Sequence, residues 1–355
     1  MRTFFAFIVR AGSLAFFAAA PGACGSVIVI DTPDGGGGSA GASTLTTTTT
    51  TTSPPLPEPG VRLAQGGMPY CLKNAPGTVT CYHPPEGSNW VPGPADLPGI
   101  TDATAVATAD EVSCVLHAGG AVSCWGFSHH GQLGSALPVG ESSEVPIVLP
   151  GVSLVKIATG HHVVCGIEPS GQAVCWGGGY DGPLGDPAVW QSQAPVPVVG
   201  IADAVDIGAF FLHACAVRAG GSVWCWGTGE APSQISGISS AVSLSVGDPS
   251  ACAVLAGGKV VCWTLGEAGL VTVPGIEDAA QVSVNEHRAC ARRAGGSVAC
   301  WPVGFDEEGE VDEVPIDDAV DITTLKNSTG VCAIRATGEA VCWKPYQGSA
   351  WPFPG

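Results

Sequence analysis

Two cysteines ten positions apart, a glycine-bearing turn between them and an aromatic directly after the second recur seven times along this chain. The pairs are Cys71 with Cys81, Cys114 with Cys124, Cys165 with Cys175, Cys215 with Cys225, Cys252 with Cys262, Cys290 with Cys300 and Cys332 with Cys342. In the copy CAVRAGGSVWCWG, Ala219-Gly220-Gly221 supplies the positive φ that a tight hairpin turn needs, and Val217 and Val223 alternate as strand residues do. Counted outward from Gly220, Cys215 and Cys225 fall opposite each other, where cross-strand Cβ atoms lie about 4.5–5.5 Å apart. One disulfide inside each hairpin is the expectation. Buried free thiols and a metal site are the alternatives. Zinc sites draw on Cys or His pairs about two to four residues apart, and no Cys-x-x-Cys occurs in the chain, so neither metal nor cofactor is expected.

Fourteen paired cysteines would be a liability in a reducing cytosol and suit the periplasm or the cell exterior. The composition agrees with an all-β protein: 51 glycines and 29 prolines in 355 residues, with 12% charged residues, suit short strands joined by turns. A formal charge of −18 leaves no electrostatic footprint for nucleic acid or an anionic membrane surface.

Residues 1–23 carry Arg2 and Arg10, an apolar run from Ala11 to Ala20 and then small residues, the pattern of an export signal. The run is too short to span a bilayer. Pro21-Gly22-Ala23-Cys24 resembles a bacterial lipoprotein signal, in which the cysteine becomes the lipidated first residue; Pro21 departs from it, since an aliphatic residue is usual there. Lipid on Cys24 would account for the one cysteine outside the seven pairs and tie the chain to a membrane. A bacterial cell-envelope lipoprotein is therefore expected, with simple secretion as the alternative. Residues 24–58, with Gly35–Gly38, Thr46–Thr52 and Pro54-Pro55-Leu56-Pro57, bury too little to offset their conformational entropy and read as a tether.

From residue 59 to 355 a second landmark recurs as Pro98-Gly99-Ile100, Pro150-Gly151-Val152, Val199-Gly200-Ile201, Ser236-Gly237-Ile238 and Pro274-Gly275-Ile276. An alternating segment such as Ala204-Val205-Asp206-Ile207 follows each landmark, then the cysteine hairpin, then a short apolar stretch such as Val271-Thr272-Val273. Four short strands per repeat are the signature of a β-propeller blade, and seven repeats predict a seven-bladed ring. Residues 114–134 and 160–185 are similar to regulator-of-chromosome-condensation repeats, with the Gly-Gln-Leu-Gly tail intact at Gly131–Gly134 and nearly so at Gly182-Pro183-Leu184-Gly185. Later repeats lose it, ending Cys262-Trp263-Thr264, Cys300-Trp301-Pro302 and Cys342-Trp343-Lys344. The resemblance implies the same seven-bladed fold. Activities in that family range from nucleotide exchange on a small GTPase to inhibition of secreted β-lactamases, so the fold selects none of them.

Trp125, Trp176, Trp226, Trp263, Trp301 and Trp343 follow the second cysteine, with Tyr82 in that place in the first repeat; an aromatic once per blade reads as packing between sheets. His162, His213 and His287 stand two or three residues before a first cysteine and, on separate blades, would meet only at the ring axis. The run Asp306-Glu307-Glu308-Gly309-Glu310 lacks calcium-loop spacing and reads as a solvated face. No catalytic motif is present. The longest connections, Phe127–Leu149 and Gly177–Val198, carry His129, His130, Tyr180, Asp181 and Trp190, and loops on a rigid ring are where recognition concentrates. The reading is a monomeric, non-enzymatic envelope or secreted protein that binds a protein partner through these loops. The alternative is an envelope protein that binds or cleaves polysaccharide, using carboxylates such as Asp181 or Asp186.

Overall fold

The computed structural model describes residues 97–178, 184–211, 213–227, 229–267, 269–303, 310–325 and 329–344. It also describes 70–74, 77–82 and the two-residue strands Val9–Arg10, Ser13–Leu14, Arg62–Leu63, Gln65–Gly66 and Trp351–Pro352. The chain divides into two compact units, Met1–Leu56 and Pro57–Gly355. In the first, Val9–Arg10 pairs antiparallel with Ser13–Leu14, and Cys24 lies outside the described residues. The second is an all-β propeller. Its described residues hold no α-helix, only the single 3-10 turn Gly134–Ala136, and no helix long and apolar enough to cross a membrane.

Each blade is an antiparallel meander in sequence order. In the third repeat the strands are Lys156–Thr159, Val163–Ile167, Ala173–Gly178 and Gln191–Pro197. The second and third strands are buried on both faces and the fourth faces solvent in part. First strands of successive repeats contact one another, which places them innermost. Among the described residues six such blades are formed, by repeats two to seven, where seven cysteine pairs predicted seven blades. The first repeat instead forms a three-stranded sheet of Arg62–Leu63, Tyr70–Lys73 and Val79–Tyr82. The physical reason is that Gln65–Gly66 pairs in parallel with Ala103–Thr108 of the second blade and so joins that sheet; residues 83–96 lie outside the described residues.

The period of two along a strand explains how blades pack. The two cysteines of every pair are direct cross-strand partners, and each pair is bridged within its own hairpin. The bridges join Cys71 to Cys81, Cys114 to Cys124, Cys165 to Cys175, Cys215 to Cys225, Cys252 to Cys262, Cys290 to Cys300 and Cys332 to Cys342. In the first repeat, whose described strands form a three-stranded sheet, Cys71 and Cys81 keep this register too. The Cα atoms of that pair stand 4.0 Å apart, and those of Cys114 and Cys124 stand 4.1 Å apart. These separations are shorter than the usual disulfide span of about 4.4–6.8 Å, because adjacent strands draw the backbones together.

The aromatic one residue after the second cysteine must point to the opposite face. The disulfides of repeats one to six therefore meet the tryptophan of the following repeat. Cys71 and Cys81 share a core with Trp125, Cys114 and Cys124 with Trp176, and Cys165 and Cys175 with Trp226. The pattern continues around the ring, with Cys215 and Cys225 beside Trp263, Cys252 and Cys262 beside Trp301, and Cys290 and Cys300 beside Trp343. The last blade turns its disulfide, Cys332–Cys342, toward Leu72 of the first repeat.

The innermost strand of a blade is an edge, and an edge leaves backbone N–H groups to satisfy. Side chains of the preceding blade accept them. Leu244 N donates to Asp206 Oδ2 at 2.9 Å, Val284 N to Ser245 Oγ at 3.0 Å, Ile322 N to Gln281 Oε1 at 3.2 Å and Thr324 N to Ser283 Oγ at 2.9 Å. Lys156 Nζ closes on Asp206 Oδ1 at 2.6 Å, so this buried carboxylate ties three successive blades.

An antiparallel meander also sorts the connections. The turn between strands one and two and the loop between strands three and four leave from one end of each blade; the cysteine hairpins and the blade-to-blade connections leave from the other. The long loops of repeats two and three therefore sit at the same end as the short first turns.

Candidate functional site at the loop-bearing end of the propeller

The first turns of successive blades fall side by side at that end. Asp110 and Glu111 stand four and three residues before Cys114, His161 and His162 hold those places before Cys165, and Phe211 stands four before Cys215. Their side chains meet across the blade boundaries. His161 Nδ1 lies 3.1 Å from Asp110 Oδ2, and the His161 ring packs edge-on against Phe211 at 5.1 Å. Glu111 Oε1 faces three imidazoles, with His129 Nδ1 at 3.4 Å, His162 Nε2 at 3.6 Å and His161 Nε2 at 3.7 Å. The rings of His130 and His162 are 4.3 Å apart and those of His161 and His162 are 4.2 Å apart.

The intact Gly-Gln-Leu-Gly segment builds this cluster from below. Gln132 is fully buried. Its carbonyl oxygen accepts Trp176 Nε1 at 2.9 Å, its Oε1 accepts the backbone N–H of His130 at 2.8 Å, and its Nε2 donates to Glu111 Oε2 at 3.1 Å. With Oε1 committed to a donor, the amide must present its NH₂ to the carboxylate. Phe127 stacks on His129 at 5.0 Å. Gly177 and Gly178 let the backbone close in: Gly178 N donates to His162 O at 2.8 Å, and a Cβ on Gly177 would stand 2.4 Å from that oxygen.

Electrostatics follow from the arrangement. Burial alone would raise the Glu111 carboxyl, but the close approach of His162, the charges of His162 and His161 and the contact with His129 override it and hold the carboxyl at about 2. Burial, and next the charge of His162, lower His130 from the ordinary imidazole value, with Glu111 opposing them. The carboxylate is thus the fixed negative charge of a half-buried histidine nest.

Two large aromatics are exposed at this end, and Phe211 is the one that packs on the cluster. Trp190 is 52% exposed on the long loop of repeat three, its indole lying over Gly229 of the next blade, where an added Cβ would meet the ring at 2.8 Å. Phe211 is 38% exposed and holds a φ of 42°, a left-handed conformation that bulky residues avoid. Of the loop residues singled out in the sequence, His129 and His130 join the cluster and Trp190 lies over Gly229 of the next blade, while Tyr180 and Asp181 lie outside the described residues. Asp186 is engaged in its own turn, accepting Ala188 N at 2.9 Å. His162, His213 and His287 do not form a set of their own: His162 pairs with its neighbour His161 and with Glu111, and His213 is half-buried, with burial lowering it from the ordinary imidazole value and Asp248 opposing. Sequence reasoning passed over Asp110, Glu111 and His161. Aligning repeats on their first cysteines would have revealed them, because equal positions in consecutive blades are neighbours around the ring.

No family model matches the chain. A 109-residue segment is 28% identical to the RCC1 domain-containing protein RUG3, mitochondrial, of Arabidopsis thaliana; it spans 30% of this chain and 24% of that protein. Human WBSCR16 has the same fold at a TM-score of 0.63 and 17% identity, over 75% of this chain and 84% of its own. So does Prp20 of Saccharomyces cerevisiae, at a TM-score of 0.59 and 16% identity, over 74% of this chain and 80% of its own. The repeats are RCC1-like. In RCC1-like terms, the Gly-Gln-Leu-Gly tail survives in the one blade where its glutamine holds Glu111.

Proposed function

We propose that this chain is a non-enzymatic binding protein whose loop-bearing end, at repeats two to four, recognises another protein. The observation that carries the reading is the pair of exposed aromatics at this end, Phe211 packed edge-on against His161 of the preorganised polar cluster and Trp190 over Gly229 of the same blade as Phe211. Large aromatics next to fixed polar groups are the usual anchors of protein interfaces. Phe211 keeps its ring exposed at a backbone cost of about 1–3 kcal/mol, which a residue without a task at the surface would not sustain. Use of the fold for protein contacts has a precedent in Prp20, which was crystallised with attention to its binding to Gsp1p and histones. Affinity capture with the disulfide-intact chain from envelope and culture extracts tests the proposal. Trp190→Ala with Phe211→Ala should weaken capture of a specific protein by about 30-fold, the loss of a hot spot of about 2 kcal/mol. Equal capture by wild type and the double variant would place recognition elsewhere.

Seven disulfides fit an oxidising compartment. In this reading residues 1–23 direct export, lipid on Cys24 holds the chain at a bacterial envelope, and 24–58 separate the propeller from the membrane. The hairpin of repeat one sets Leu72 against the disulfide of the last blade. Full-length protein should then partition into detergent and Cys24→Ser into the aqueous phase, since acyl chains contribute about 0.8 kcal/mol per buried CH₂. Identical partitioning of the two favours simple secretion.

A further inference from the structure

We propose that Glu111, His161 and His162 form a binding site for a zinc-like divalent transition-metal ion. The donor set comes first: two imidazole nitrogens and one carboxylate oxygen are a set that zinc takes with three protein ligands and an open fourth position. The three donor atoms lie within 4.8 Å of one another. Distances then separate a coordination site from a hydrogen-bonded cluster. His162 Nε2 and His161 Nε2 stand 3.6 and 3.7 Å from the same Glu111 oxygen, beyond hydrogen-bonding range. Bonds of about 2.0–2.1 Å in a tetrahedral site imply donor-to-donor edges of about 3.4 Å, close to these separations.

The surroundings supply the second, independent observation. A metal-binding histidine typically gives its other ring nitrogen to a carboxylate, which fixes the tautomer and aims the free lone pair at the ion. Asp110 does this for His161: its Oδ2 lies 3.1 Å from Nδ1, leaving Nε2 toward Glu111. The ligating carboxylate is oriented too, because buried Gln132 holds Glu111 Oε2 and leaves Oε1 to the histidines. Side-chain exposures of 19% for Glu111, 25% for His161 and 32% for His162 leave a route from solvent and room for a water or a partner's side chain as fourth ligand. This site stands apart from the protein-binding reading, since metal uptake needs no partner.

Equilibrium dialysis of the full, disulfide-intact chain against ZnCl₂ at neutral pH tests it, with Co²⁺ absorption as a second readout. The expected result is one ion per chain and visible Co²⁺ bands of a low-coordinate site. His162→Ala and Glu111→Gln should each weaken uptake by more than about 100-fold, and Asp110→Asn, which leaves all three ligands in place, by about 10–100-fold. The exposed His287→Ala, on another blade, should bind as wild type does. Near-UV circular dichroism confirms that each variant is folded; should His162→Ala fail that check, Asp110→Asn and Glu111→Gln decide. Absence of stoichiometric uptake at about 100 μM zinc, a concentration that a Kd near 1 μM would saturate, overturns the proposal. Uptake undiminished in the folded ligand variants overturns it equally.

Discussion

Gly126→Ala is expected to destabilise the folded chain by about 3 kcal/mol or more, lowering the melting temperature by roughly 5–10 °C. Gly126 follows Trp125 in the third strand of repeat two and holds a φ of 110°, a conformation that costs an alanine about 1–3 kcal/mol in itself. The added methyl would also stand 2.2 Å from the Glu111 carbonyl oxygen and 3.1 Å from its carbonyl carbon. Both are backbone atoms, so no rotamer relieves the clash, and that carbonyl already accepts Phe127 N at 2.7 Å. Gly99→Ala is the control: φ is 81° there, but nothing lies within 4 Å of the new methyl, so only the conformational term of about 1 kcal/mol applies. Thermal melts of the two variants separate the terms. Similar melting temperatures would mean that the Asp110-Glu111 turn does not lie against Gly126, and the histidine nest would lose its footing.

Much of this architecture is legible in the chain because a repeat writes the same physical instruction several times. Cys-Trp in adjacent positions dictates opposite faces, and it follows from the order of two residues that a disulfide and the tryptophan beside it face different neighbouring blades. The alternating pattern after each Gly-Ile or Gly-Val landmark marks a strand in the same way, as Ala204–Phe210 shows, but that this strand is the innermost comes from contacts between successive blades and not from the pattern. The site is less legible because it is made of differences between repeats. Glu111, His161 and Phe211 break the repeat rather than follow it, and their meaning lies in who stands beside them around the ring. Gln132 shows the same limit: its motif was visible, but its contact with Glu111 spans 21 residues of sequence. The first repeat misled the blade count for a related reason, since its hairpin of Cys71 and Cys81 is regular while Arg62–Leu63 and Gln65–Gly66 join two different sheets.

The second large effect concerns the disulfides taken together. A bridge closing a loop of this size contributes about 3 kcal/mol in the chain-entropy account. Cys215→Ala with Cys225→Ala should therefore lower the melting temperature by several degrees and leave a folded ring, because packing around Val217, Val223 and Trp263 is shared with the neighbouring blade. Cys225→Ala alone should be worse, as the stranded thiol can exchange with other bridges. Removing every bridge is a different matter. Even at half the nominal value, seven bridges contribute roughly 10 kcal/mol, comparable to the whole of the roughly 5–15 kcal/mol by which domains are stable. The fully reduced, alkylated chain should show no cooperative melt at room temperature. A sharp transition within a few degrees of the oxidised protein would show that the blades hold by packing alone.

One bridge within each hairpin is the claim on which the blade pairing, the oxidising compartment and the rigid rim beneath the histidine nest all depend. Peptide mapping of non-reduced protein, alkylated directly from its native compartment, measures it. The expected linkages are Cys71 to Cys81, Cys114 to Cys124, Cys165 to Cys175, Cys215 to Cys225, Cys252 to Cys262, Cys290 to Cys300 and Cys332 to Cys342, with no cross-repeat peptide. Linked peptides joining different repeats, or fourteen freely alkylated thiols, would contradict it.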